Sequence, residues 1–208
     1  MRTALRAGIA IYNDGHYHAA HDAWEAHWLD LEEGTPDERL LHGLIQFTAA
    51  VHHAHHRNWT GAIGLAESAG EYLAELDPDY RECNVGAARR FLADLAVDPE
   101  LIERRAPLAL SHEGEILTLT DCTPVETAAA AAVLAEEWGY DEEPVVRAGE
   151  YLYADVDRGR SETPFQALLR DFVSGAETDR DVIYQRLGQH VDRRESRAAD
   201  VSGLFDDR

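Results

Sequence analysis

The chain has 208 residues, 45% of them hydrophobic, and carries 40 acidic groups against 19 basic ones for a formal net charge of −21. That apolar fraction excludes a disordered chain, and no stretch approaches the ~20 apolar residues a membrane helix needs. Every basic residue is arginine, and the charge is spread, −9 on residues 1–98 and −12 on the rest. A field of that sign repels nucleic acid and anionic membranes, so neither is expected as a partner. The same charge fits adaptation to molar salt, where self-repulsion is screened over ~3 Å.

Met1-Arg2-Thr3-Ala4-Leu5-Arg6 runs straight into helical periodicity without a signal-peptide core, so a cytoplasmic location is expected. Apolar spacing predicts a helix over Thr3–Asn13, stopped by Asp14-Gly15, and a second from about His16 to Leu31. Thr35-Pro36-Asp37-Glu38 reads as a capping box opening a third helix to about Arg57, with Asn58 as a left-handed cap at its end. Thr60–Leu76 makes a fourth helix, and a fifth follows Asp77-Pro78-Asp79 to about Ala96. Residues 107–119 carry short apolar runs around Glu113-Gly114, a small hairpin or extended linker.

A second capping box, Thr123-Pro124-Val125-Glu126, opens an alanine-rich helix to Trp138 with Gly139 as its stop. Pro144–Arg158, Pro164–Ser174 and Asp179–Arg197 are further helices, followed by a loose tail pinned by Leu204 and Phe205. The predicted fold is all-α. A compact bundle of antiparallel hairpins spans 1–98, a linker 99–122, and a helical extension 123–208. The first hairpin is tetratricopeptide-like, with Ala4, Ala7, Gly8, Ile11, Gly15, Tyr17, Ala20 and Trp24 at the matching spacing. Tyr17 and Trp24 are expected to be buried between the first three helices.

Nine of the eleven histidines fall between His16 and His56. At ~100° per residue, His18, His21 and Glu25 share one stripe of the second helix, beside an aromatic stripe holding Trp24 and Trp28. On the third helix His42, Gln46, Ala49, His53 and His56 line up opposite Leu40, Leu44, Phe47 and Val51. If the polar stripes face each other, His21, Trp24, Glu25, Trp28, Gln46 and His53 enclose a groove for a small ligand or peptide. Three readings are open. In the first, His21 and Glu25 chelate a divalent metal with His53 or His56. In the second, Glu25 and His21 act as an acid–base pair of a small hydrolase. In the plainest, His21, Glu25 and Gln46 hydrogen-bond one another in a polar seam and no cofactor is involved. A non-catalytic binding module is the leading expectation, with a small metal-dependent or acid–base hydrolase using His21 and Glu25 as the alternative, and self-association is left open.

At these residues the chain resembles a known family. Gly15-x-Tyr17-x-x-Ala20-His21-Asp22-x-Trp24-Glu25-x-x-Trp28, then Gly43-Leu44-Ile45-Gln46, then Asn58-x-x-Gly61-Ala62 is similar to the helical family called domain of unknown function 309, over about residues 3–76. The chain departs from the family pattern at Asp22, where glutamate is commoner, and at His42. The resemblance implies an all-helical fold and brings no activity with it. The lysine-free acidic composition likewise resembles proteins of salt-accumulating halophilic archaea. Elsewhere, Arg186, His190, Arg193, Arg194 and Arg197 read as a salt-bridged helix face, and Cys83 and Cys122 as small hydrophobes.

Overall fold

In a computed structural model, which describes residues 1–160 and 163–203, nine α-helices and one short hairpin form the regular structure. The fold is all-α, and the chain divides into two compact units, Met1–Cys122 and Thr123–Arg208. Among the described residues no helix is long and apolar enough to cross a membrane.

The first unit is built on close helix contacts that glycine permits. Between α1 (Arg2–Asn13) and α2 (Tyr17–Trp28), a Cβ on Gly8 would lie 2.2 Å from Trp24 Nε1, so only glycine lets the indole in. Trp24 is completely buried there, its indole N–H 3.4 Å from the Leu5 carbonyl. Tyr17 is only half-buried, correcting the expectation. It sits in the first turn of α2, packed on Tyr12 and stacked on His55 with ring centroids 5.1 Å apart. Between α3 (Pro36–His55) and α4 (Trp59–Leu73), a Cβ on Gly43 would meet Leu73 Cδ2 at 2.6 Å. Leu40, Leu44, Phe47 and Val51 form the buried face of α3, and α5 (Val85–Val97) adds Phe91, Leu92 and Leu95.

Several boundaries differ from the sequence expectation: α4 stops at Leu73 rather than Leu76, and α5 starts at Val85, after a 3-10 turn at Tyr80–Glu82, rather than directly after Asp79. α2 ends at Trp28, where the chain tightens into a four-residue turn, Leu31 N–H to Trp28 C=O at 3.0 Å. Asn58 does not close α3; Arg57 takes the left-handed conformation with φ 57°. Asn58 instead caps α4, its Oδ1 accepting from Gly61 N–H at 3.1 Å.

Residues 99–122 pack within the first unit. Strands β1 (Ser111–His112) and β2 (Glu115–Ile116) pair antiparallel around Glu113 and Gly114, both at positive φ, the twist a two-residue hairpin prefers. Asn13 at the end of α1 clamps this segment. Its Nδ2 donates to the carbonyls of Leu110 and Leu117, both at 2.8 Å, and its Oδ1 accepts from Leu110 N–H at 2.9 Å. Cys83 is buried beside the hairpin, and burial pushes its thiol up to about 12, an unreactive state.

The second unit comprises α6 (Pro124–Glu137), α7 (Glu143–Asp157), α8 (Pro164–Ser174) and α9 (Arg180–Gly203). Thr123 and Glu126 complete a reciprocal capping box at the start of α6. Leu134, Leu152, Leu169, Phe172 and Leu187 meet in its core. On the arginine-rich face, Arg194 grips the buried Asp155 carboxylate with two hydrogen bonds of 2.6 and 2.9 Å. Helix α9 continues past Arg197, where a loose tail was expected; Leu204 and Phe205 lie outside the described residues.

Candidate functional site

The last turn of α2, the turn after it, the first half of α3 and the end of α4 bound a cleft of about 520 Å³. Its chemistry starts at Glu38. This residue stands three positions after the N-cap Thr35, whose Oγ1 accepts from Glu38 N–H at 3.4 Å. In a full capping box the glutamate would return the bond to the N-cap backbone. Here its carboxylate turns inward and is 6% exposed. Oε1 accepts from the Trp28 indole N–H at 2.8 Å, and Oε2 from Gly34 N–H at 3.2 Å. Gly34 can present that N–H because it holds φ 79°, a conformation that suits glycine.

One turn on, His42 Nδ1 lies 3.2 Å from Glu38 Oε1, and after another turn Gln46 Nε2 lies 3.0 Å from His42 Nε2. An ionised carboxylate only accepts, so Nδ1 carries the proton, and in the neutral imidazole Nε2 accepts from the Gln46 amide. Glu38, His42 and Gln46 thus form one hydrogen-bonded line along α3. The His42 ring is stacked on Tyr72 from α4, centroids 3.8 Å apart, and tilted against Trp28 at 4.5 Å.

Burial alone would raise the Glu38 carboxyl, but the bonds from Trp28, Gly34 and His42 outweigh it and hold its pKa below the ordinary value. Arg39 also lines the cleft, yet its guanidinium is committed to the end of α4. It donates to the carbonyls of Tyr72 at 3.2 Å and Glu71 at 3.1 Å, and to the Glu75 carboxylate at 2.9 Å. Glu33, Glu38 and Glu71 are left to set the sign of the cleft.

The residues expected to share one groove are divided among four places. Trp28 lines the cleft and Gln46 closes its hydrogen-bonded line, whereas Trp24 is core. His21 bonds its neighbour Asp22, Nδ1 to Oδ1 at 2.9 Å. No hydrogen bond among the described residues joins His21 to Glu25 or either to Gln46; His21 is bonded to Asp22, and Gln46 to His42. His53 accepts at Nδ1 from the Asn58 amide at 2.7 Å, and His56 Nδ1 donates to the His52 carbonyl at 2.9 Å. Both thereby serve the α3–α4 junction, and neither groups with His21 and Glu25 as a metal ligand set. Sequence reasoning missed Glu38 and Tyr72 and left His42 without a role. The i, i+4, i+8 spacing of Glu38, His42 and Gln46 was the available signal.

Residues 5–65 match the model of the family described as a domain of unknown function (DUF309). The match takes in Trp28, Glu38, His42 and Gln46 and stops before Ser68, Glu71 and Tyr72 on the α4 wall. No curated protein matches the chain.

Proposed function

We propose that the first unit is a non-catalytic binding module whose cleft takes a small organic cation, an amine or guanidinium, free or at the end of a peptide side chain. The observation that carries this reading is the pairing of an aromatic wall with an unneutralised acidic lining. Trp28, His42 and Tyr72 present π surface, Glu33 and Glu71 stand at the rim, and the ionised Glu38 is buried beneath. Cations are attracted to aromatic faces by ~0.5–2 kcal/mol, more when desolvated. The one arginine in the lining already holds helix carbonyls and Glu75, so it does not offset that field.

The charge of −21 supports two further parts of this reading: the module works in a cytoplasm of molar salt, and the cation must find the cleft by contact rather than by long-range attraction. Over ~3 Å of screening, only groups in the cleft itself act on it.

Ligand-observed NMR with a panel of small amines, guanidines, neutral amides and carboxylates tests the proposal. Cationic members should bind, and Trp28→Ala should abolish their signal while the fold persists. Carboxylates binding in preference, or no member binding at all, would remove the reading.

A further inference from the structure

Two groups of three side chains in the first unit bring imidazole and carboxylate atoms together as a metal would need, His21 with Asp22 and Glu25, and His112 with Glu82 and Glu113. They differ in what already neutralises them. Arg2 reaches Glu113 at 2.8 Å and Glu82 at 3.6 Å, and Arg6 lies 3.2 Å from His112 Nδ1. That group has its cations. Among the described residues no arginine pairs with Asp22 or Glu25, and the partners of Asp22 are imidazoles: His21 at 2.9 Å and His18 at 3.2 Å.

We infer that His21, Asp22 and Glu25, with His18 as a fourth ligand, form a binding site for a divalent transition metal of the zinc class. The four positions are i, i+3, i+4 and i+7, which fall within about 100° of arc on α2. One ligand atom each from His21, Asp22 and Glu25 lies within 4.8 Å of the others. Around a tetrahedral ion with bonds near 2.1 Å, ligand atoms stand roughly 3.4 Å apart. His21, Asp22 and Glu25 are half-buried and His18 is exposed on the same helix, so the closure asked of them is a change of side-chain rotamer. His52 on α3 adds a further imidazole, its ring centroid 6.5 Å from that of His18. Mixed imidazole and carboxylate ligands select zinc, cobalt, nickel or copper over magnesium and calcium, which take oxygen ligands. None of these residues lines the Trp28 cleft, so the site stands or falls independently of the proposed ligand.

The test is equilibrium dialysis of the full chain, purified without a histidine tag, against Zn²⁺ and separately against Mg²⁺, with Co²⁺ absorption as a second readout. Zinc should be retained and magnesium not. His21→Ala and the near-isosteric Glu25→Gln should each weaken zinc binding by roughly 10-fold or more, the size of effect that even outer-shell losses produce. Glu25→Gln should also diminish the visible Co²⁺ bands, while Glu82→Gln should leave both readouts unchanged. Failure to retain zinc, equal retention of magnesium, or zinc binding that survives both α2 substitutions would overturn the assignment.

Discussion

Glu38 carries two demands at once, since its backbone N–H is capped by Thr35 while its carboxylate serves Trp28, Gly34 and His42. Glu38→Gln keeps the shape but sets an amide N–H₂ against donors, so it should lower stability by about 1–3 kcal/mol at neutral pH. The native carboxyl sits below its ordinary value, so its contribution is present above the unfolded value of ~4.3 and is lost as pH falls through the folded one. Urea denaturation across pH should therefore show the gap between native and variant flat above about pH 5 and shrinking on acidification. A gap that widens with acid contradicts the assignment. Trp24→Ala tests the core instead, because the indole fills the space that Gly8 leaves open. It should cost on the order of 3–5 kcal/mol, and a loss under ~1 kcal/mol in the same assay would place Trp24 outside the core.

At the level of elements, the hairpin at 111–116 is too short to stand alone and depends on Asn13 at the end of α1. Asn13→Ala leaves three backbone groups without that partner and should cost about 1–3 kcal/mol. Amide hydrogen exchange should show residues 108–117 losing protection before the helices do; protection lost uniformly would mean that the clamp does not act locally. Helix starts and stops were legible wherever one residue type answers one need, as with Thr35, Thr123, Gly15 and Gly139. Asn58 was misassigned because the left-handed residue after α3, Arg57, and the N-cap of α4, Asn58, are adjacent, and asparagine suits both roles. The cleft was half legible. Periodicity put His42 and Gln46 on one stripe of α3, but either of the histidine-rich helices offered partners. Only the packing of Trp28 and Tyr72 against His42 decides which groups meet. Glu38 was hidden by its agreement with a capping motif.

For the whole molecule the excess of acidic groups outweighs individual ion pairs. Pairs such as Arg2–Glu113 and Arg147–Glu195 are half-exposed, and such pairs contribute at most ~1 kcal/mol each. Repulsion among the surplus charges acts over ~10 Å at about 0.1 M salt and is nearly gone above 1 M. The melting temperature should therefore rise from about 0.1 M to about 3 M KCl, and a flat or falling profile would remove the salt-adapted reading. The central claim, a cation in the Trp28 cleft, has a built-in reporter, because Trp28 is one of four tryptophans and its indole N–H is bonded to Glu38. In a ¹H–¹⁵N spectrum recorded at high salt, titration with a small alkylammonium or guanidinium compound should shift the Trp28 indole resonance saturably. The resonances of Trp24, Trp59 and Trp138 should stay in place. A Trp28 resonance that does not move, or four that move together, would contradict the account.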